Sequence, residues 1–567
     1  MTGPGGRTPA SEPAHLSASR TPHEELMAAG ESAVNYVDAI IVGLGPTGAT
    51  LANLLGRAGL SIICVEHDTD IYYAPKAVHF DDEIMRIFQS AGLSDEIAKT
   101  SEPFSEMAFV LKPGGKEVWR AKVGTQDRRY GHAGAWWFHQ PTLERHLRGG
   151  LSRFPNVQVL LGLSVTAVAQ DGNGVTVTAE GDGGRRTEVR GSFVIGCDGG
   201  RSTVRRLAGI ALDSANFDQP WVVVDTRTRT GKKHPDLPDI HNQVCQPSQP
   251  VTYVPLAGPY YEWQFMVTGG KTEREATDPM VVREQLKKFV DLDTIEISRI
   301  AYYTFHALWA REWQKGRIIL AGDAAHQMPP FLGQGMCSGI RDADALAWRL
   351  NLILSGRAGV DLLNDYQLER GDHVCHIIKG AIFLGNIIQT RRPLISFLRN
   401  RLLFDLPQLL PPYSRLLMYF INRKRPLTQG FFGRNRRKIA GWLIPQPTVA
   451  TIDQGDVPLD TLMGTGFAVV ARATALEIIA SVLPRIKEAL PLNLVLFGPK
   501  PSSNVAADSS GALSRFFDQA RIDFVIVRPD HYIFDGGRSG DFAKVASKLV
   551  ERFHAAQDTE VVLEKVA

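Results

Sequence analysis

The stretch DAIIVGLGPTGATLANLLGRAGLSIICVE, residues 38–66, sets out a strand, a glycine turn, a helix and a second strand in unbroken succession. An apolar run from Ala39 to Val42 leads into Gly43, Gly45 and Gly48, with Leu44, Pro46 and Thr47 between them. A helical pattern follows, then a second apolar run that ends in Glu66. This is the order of a dinucleotide-binding βαβ unit. Gly43 permits a tight turn, Gly45 lets the backbone approach a pyrophosphate, and Gly48 lets helix and strand pack closely. The anion then meets unpaired N–H groups and the positive end of a helix dipole. Glu66 can accept hydrogen bonds from ribose hydroxyls. A bare GxGxxG is often a plain turn; the complete strand–glycine–helix–strand–Glu context separates the two readings.

Working outward, the chain of 567 residues is too long for one ordinary core, and about three domains are expected. Hydrophobic content of 44% and charged content of 22% are those of a globular protein. A net charge of +3 gives no general reason to expect nucleic acid or membrane. Five cysteines without a CxxC pair argue against a disulfide framework and a zinc site, and point to a reducing cytoplasm. No segment has the roughly 18 uninterrupted apolar residues of a membrane span. Residues 1–36, rich in Gly, Pro, Ser, Thr and Ala, read as a disordered tail.

From Val157 to Val168, Gly174 to Ala179 and Arg186 to Val189 the pattern is strand-like, as in a meander. Residues 211–300 change character, with prolines, aromatics and alternating strands such as WVVVDTRTRT and YYEWQFMV. They read as a β-rich domain inserted into the first and covering a substrate. Arg317–Ala321 returns to the dinucleotide fold, and SGIRDADALAWRLNLIL is a helix with Asp342 and Asp344 near its start. IPQPTVATIDQGDVP (444–458) reads as a linker or domain entry, and the remainder alternates strand and helix as a small α/β domain.

Two more loops share the composition of the first. One is Gly196-Cys197-Asp198-Gly199-Gly200-Arg201-Ser202. The other is Gly322-Asp323-Ala324-Ala325-His326, with Pro329-Pro330 and Gly333-Gln334-Gly335 after it. Each follows an apolar strand and offers small residues, which let backbone approach a flat ligand, plus an acid for ribityl or ribose hydroxyls.

With GLGPTG, CDGGRS and GDAAH, the sequence resembles the class A flavoprotein aromatic hydroxylases over about residues 37–400. Within that family FHQPTLE, RFPNV, WVVVD, SGIRDA, LLNDYQLERGDH, the QP…GDVPLD segment and the final EKVA resemble the 3-(3-hydroxyphenyl)propionate (3-hydroxycinnamate) hydroxylases. The resemblance implies a Rossmann-type α/β FAD-binding domain in two parts (37–210 and 301–440, the latter with added helices). It also implies an inserted β-rich substrate domain (211–300) and a thioredoxin-like C-terminal domain (441–567) without the redox CxxC.

It further implies that FAD is gripped by Val42, Gly43, Leu44, Gly45, Pro46, Thr47 and Gly48, by Glu66, Lys76, Gln140 and Asp198, and by Gly322, Asp323, Pro330, Gly333, Gly335, Met336 and Cys337. Arg201, Arg205 and Arg206 would lie near the pyridine nucleotide. NADH would reduce FAD, and dioxygen would supply the oxygen placed ortho to a phenolic hydroxyl, giving a catechol in aromatic catabolism. Lys76 stands where many members have Arg and loses the bidentate fork. Cys337 stands where many have Asn and loses an amide contact.

Other readings stay open at this point. A relative acting on another phenol, such as a resorcinol or a polycyclic polyketide, fits the same motifs, as does a flavin-binding protein without turnover. Partners would be a phenolic substrate and dioxygen, with no nucleic acid and no membrane; a homo-oligomer is open. The phenol's partner is unassigned: Tyr303 and His306 in AYYTFHALW, His326 and His79 each read as well as structural residues. Residues 391–438 hold twelve Arg or Lys against the single acid Asp405, read as a solvated face, with a membrane surface as the rival.

Overall fold

The computed structural model describes residues 36–71, 77–124, 128–422, 424–433 and 439–563. The expected tail lies outside them except for Tyr36, which opens the first strand. Lys76, Arg423, residues 434–438 of the basic run and the final EKVA also lie outside the described residues.

Tyr36–Val42 is the centre of a parallel sheet, flanked by Ile62–Glu66 and by Arg186–Gly196. Val157–Leu161 extends it on one side and Ile318–Leu320 on the other. Strands covered on both faces carry apolar runs without alternation, and Ala39, Ile40, Ile41, Ile62 and Val65 are all buried. The crossover helix Pro46–Arg57 opens on a proline, whose missing N–H is an orphan at that position anyway. The Gly335–Leu354 helix packs across it and buries Ile340, Ala343, Ala347 and Leu350.

Several local expectations change. The Val157–Val168 pattern is two strands, Val157–Leu161 and Leu163–Asp171, because Gly162 turns the corner at φ +67°. The runs at Arg186–Val189 and Ser192–Gly196 are one strand. Its first half pairs antiparallel with Gly174–Gly181 and its second half runs parallel to Tyr36–Val42. Residues 448–458 are a hairpin, Thr448–Thr451 with Gly455–Pro458, at the edge of the third sheet. Asp342 is no dipole residue: it sits well inside its helix and is fully buried.

The second sheet has eight strands, led by Leu212–Thr228 paired with Tyr260–Met266 and with the long Ile295–Ala310. It also recruits Glu106–Val110 and Glu117–Lys122, from before the 211–300 segment, through a parallel pairing with His241–Val244. One face is a core of Val222, Val224, Tyr253, Tyr261, Trp263 and Phe265 against Val282 and Leu286. The other face, with Trp221, looks toward the first domain: its ring centroid lies 6.1 Å from that of Phe331.

The third domain is thioredoxin-like. Phe467–Arg472 and Leu492–Gly498 are parallel across a helix, and Phe524–Val527 and Ile533–Gly537 add antiparallel before the closing helix. Buried charges tie it to the first domain. Arg86 clasps Asp460 through two nitrogens at 2.6 and 2.7 Å, and Tyr532 donates to Glu83 at 2.6 Å. Arg528 holds Glu369 at 2.8 and 2.9 Å.

Candidate active site where three loops meet

The three glycine-and-acid loops converge. Gly43, at φ +95°, lies so close to the second loop that a Cβ there would be 2.6 Å from the Cys197 carbonyl oxygen. Cys197 N donates to Val42 O at 2.7 Å, and Ala321 N donates to Gly196 O at 3.0 Å, so the strand ends are in register. The third loop rests on the first: a Cβ on Gly322 would be 2.7 Å from Thr47 Oγ1. Arg205 laces the second loop to the third, donating to Ala324 O at 3.0 Å and Gly200 O at 3.1 Å. That buried guanidinium is therefore occupied within the fold rather than offered to a pyridine nucleotide.

Against this tight packing, a Cβ on Gly45 or Gly199 would meet nothing within 4 Å, and one on Gly335 only Met328 Cγ at 3.8 Å. The helices starting at Pro46 and Gly335 have no side-chain cap, leaving their first N–H groups for another acceptor. Open backbone at two such helix starts fits a long ligand with a pyrophosphate and a flat ring.

Around the first loop, Val42 and Leu44 are buried while Gly45, Pro46 and Thr47 are half-buried. The buried Glu66 accepts from Leu44 N at 2.5 Å and Asp68 N at 3.0 Å, with Arg148 Nη2 at 3.7 Å. Arg148 also donates to Leu44 O at 3.0 Å, so it braces the loop, a role no local motif announces. Gln140, first residue of its helix, accepts from Ala77 N at 2.8 Å and donates to Glu144 at 2.7 Å. Asp198 is engaged within its own loop: one oxygen takes Ser202 Oγ at 2.5 Å and the other takes Thr203 N at 2.6 Å. Its carboxylate shapes its own loop, while its backbone lies against Gly43.

In the third loop Asp323 is exposed, and Pro330, Gly333, Gly335 and Met336 are half-buried. Cys337 is fully buried, its thiol 3.6 Å from Gly333 O and 3.8 Å from His79 O. Burial drives that thiol's pKa up, so it stays protonated and pins the helix start. His326 is structural: Nε2 is 2.6 Å from Asp342 Oδ2, and Arg370 Nε is 2.8 Å from Oδ1. Burial opposes charge on Asp342, but His326 and Arg370 outweigh it and hold its carboxyl below the usual range.

Between the third loop and the second sheet stands His79, against Gly333 and edge-on to Phe104 and Trp137. Burial lowers its pKa, so the imidazole is neutral at physiological pH. Tyr303 lies opposite Trp221 on the sheet's ligand-facing side. His306, three residues on, falls on the other face and pairs with Asp218 at 2.5 Å. Only the tyrosine of that pair therefore faces the site.

The same ligand-facing side carries a row that sequence reading missed. Glu262, Asp225 and Arg299 are cross-strand neighbours, and Arg299 Nε is 2.9 Å from Asp225 Oδ2. Burial, then the neighbouring Asp225, pushes the Glu262 carboxyl up to about 8; burial also raises Asp225, against the pull of Arg299. A carboxyl that binds its proton more tightly when folded makes stability fall as pH rises from the ordinary glutamate range to about 8. Glu262→Gln is expected to flatten this slope, raising the melting temperature at pH 8.5 relative to wild type far more than at pH 6.

Comparison with known proteins agrees with this geometry. The FAD binding domain family matches residues 36–381, and the HcaD C-terminal domain matches 441–552. The 3-(3-hydroxy-phenyl)propionate/3-hydroxycinnamic acid hydroxylase of Mycolicibacterium smegmatis is 32% identical, covering 92% of this chain and 94% of its own. The probable NADH-specific resorcinol 4-hydroxylase of Rhodococcus jostii is 34% identical, covering 91% and 94%. Among solved structures, the flavin-dependent monooxygenase PieE with FAD and substrate has a TM-score of 0.78 at 20% identity, covering 92% of this chain and 99% of its own. The chain belongs to the FAD-binding flavoprotein monooxygenases. Within them it is an FAD-dependent aromatic hydroxylase. Among the described residues no helix is long and apolar enough to cross a membrane.

Proposed function

We propose that this enzyme hydroxylates 3-(3-hydroxyphenyl)propionate, and 3-hydroxycinnamate, ortho to the existing hydroxyl, with NADH as reductant, in the breakdown of aromatic compounds in the cytoplasm. The relatives' names supply the candidates. The observation that favours the carboxylated one is Arg299. Its Nη1 and Nη2 are buried and have no acceptor among the described residues. A planar guanidinium with two free outer donors suits a carboxylate. Arg299 lies opposite Asp225, four residues along the strand from Trp221, which is about 13 Å. A phenol held near Trp221 and Phe331 would extend its side chain toward that fork.

In this reading FAD lies along Val42–Gly48, Glu66, Lys76, Gln140, the Asp198 loop, Gly322–Asp323 and the Pro330–Cys337 turn. Residues 37–210 and 301–440 carry it. The second sheet covers the substrate, and 441–567 buttresses the first domain. FAD, when bound, supplies the reduction of dioxygen and the electrophilic oxygen. Phe331, Phe305 and Trp221 keep water from the reacting ring. A resorcinol specificity has one observation in its favour: the row sets two carboxyls against one guanidinium, so an uncharged phenol would leave its charge undisturbed.

Product analysis after incubation with 3-(3-hydroxyphenyl)propionate, NADH and air should give the 2,3-dihydroxy compound in near-stoichiometric yield on NADH. Arg299→Gln should raise KM for that substrate about tenfold to a hundredfold and leave 3-ethylphenol, which lacks the carboxylate, unaffected. Turnover of resorcinol with none of the propionate would overturn the substrate assignment.

A further inference from the structure

We infer that the Trp221 indole N–H is the hydrogen-bond donor that receives the substrate's phenolic oxygen beside the flavin loop, an assignment that rests on the hydroxylase reading above. Trp221 is fully buried, and its Nε1 has no acceptor among the described residues. Buried indole N–H groups ordinarily find one. Two other buried indoles do: Trp263 donates to Thr226 Oγ1 at 3.2 Å and Trp348 to Asp530 Oδ2 at 3.0 Å. A buried indole donor left without a partner calls for an explanation.

Its surroundings supply one. The ring lies 6.0 Å from Phe305 and 6.1 Å from Phe331, centroid to centroid. Phe331 belongs to the Pro330–Leu332 turn, between the GDAAH loop and the helix start expected to carry the flavin ring. With Phe217 and Phe305, whose rings lie 6.2 and 6.4 Å from Phe331, Trp221 thus forms the contact of the second sheet with that turn, in an apolar, aromatic setting. A phenol entering there brings an oxygen and stacks its ring among others.

The chemistry suits the reaction as well. An indole N–H donates and never accepts, so it cannot compete for the phenol's proton. A donor bonds more strongly to a charged oxygen than to a neutral one, so Trp221 would favour the phenolate, the form in which the ring is most nucleophilic. It would do so without carrying a formal charge into the site.

The test uses the FAD-loaded protein and Trp221→Phe, which keeps a ring and removes the donor. Dissociation constants are read from the perturbation of flavin absorbance for 3-(3-hydroxyphenyl)propionate and for 3-phenylpropionate, identical but for the hydroxyl. The variant should bind the hydroxylated ligand about tenfold more weakly and 3-phenylpropionate within twofold of wild type. Its fraction of NADH converted to hydrogen peroxide should rise. Phe305→Leu, which disturbs packing but removes no donor, should affect both ligands alike.

Equal losses for both ligands in Trp221→Phe, or no loss for either, would overturn the assignment. Equal losses accompanied by weaker FAD retention would give the N–H to the flavin instead. If wild type neither binds nor converts the propionate compound but converts resorcinol, the substrate reading fails on its own. The donor is then tested with resorcinol against benzene by the same criterion.

Discussion

Gly48→Val is expected to yield a protein that purifies colourless. A Cβ at this position would strike the Gly43 carbonyl oxygen and lie 3.1 Å from Cys197 Cβ. The obstacle is backbone, so no rotamer change relieves it. The helix cannot retreat, because Ala49, Leu51, Ala52 and Leu55 are buried on its inner face. The first loop must therefore move away from the second, and the three loops lose their common register. Overpacking of this kind costs about 3 kcal/mol of stability. FAD binding should weaken by roughly a hundredfold or more, about 2.8 kcal/mol, read as flavin absorbance per polypeptide. Gly45→Ala separates the two effects. Its Cβ meets nothing within 4 Å, and Gly45 has φ −66°, a conformation alanine adopts freely. That variant should unfold at the wild-type temperature as apoprotein yet hold FAD more weakly, because the methyl group occupies the line of approach of the pyrophosphate. If Gly45→Ala retains full flavin, the ligand does not pass over this turn.

The contrast between these glycines shows what the sequence made legible. Strand–turn–helix order is local, so residues 38–66 announced the dinucleotide fold. The composition of the Asp198 and Asp323 loops announced that they belonged with it. Registers between distant strands are not local. Nothing in WVVVD, YYEWQ or ISRIAYY says that Asp225, Glu262 and Arg299 stand side by side; the pairing of Leu212–Thr228 with both neighbours decides it. Alternation could have suggested that Trp221, Val223 and Asp225 share a face, but not which face meets the flavin turn. The same limit hid the recruitment of Glu106–Lys122 into the second sheet, through a parallel pairing across more than a hundred residues. Side-chain partners were hidden for a different reason. Arg205 and Asp198 carry the right chemistry for ligand contact, yet the loops they belong to use it first.

Removing the carboxylate of Glu369 is expected to unfold the junction between the thioredoxin-like domain and the flavin domain. Glu369 is buried in the helix Asn364–Ile388. One oxygen meets Arg349 at 2.6 Å, Arg528 at 2.8 Å and Phe431 N at 2.8 Å; the other meets Arg528 at 2.9 Å. Burial opposes its charge, but Arg349 and Arg528 outweigh the penalty and bring the carboxyl down to about 2. Arg528 comes from the third domain and is itself anchored by Asp530 at 2.9 Å, while Asp530 also accepts from Trp348 of the flavin-domain helix. Glu369→Ala removes the carboxylate that Arg349 and Arg528 share, leaving Asp530 to pair with Arg528 alone and the buried Arg349 without its carboxylate. Breaking a buried ion pair on one side costs about 3–5 kcal/mol. Glu369→Gln keeps the shape and loses the charge, and should fall between that variant and wild type. Stability from a carboxyl whose folded pKa is depressed is present above its unfolded value and is lost as pH falls through the folded one. Wild type should therefore lose this contribution between the ordinary glutamate range and about pH 2, and Glu369→Gln should show a shallower acid slope over that window. Urea unfolding followed separately by flavin release and by far-ultraviolet signal locates the damage. If the third domain is buttressed through this carboxylate, Glu369→Ala splits one cooperative transition into two. A single transition at the wild-type midpoint would mean that the other contacts, among them Arg86–Asp460, Tyr532–Glu83 and the apolar cluster around Trp348 and Phe467, hold the domains together without this carboxylate.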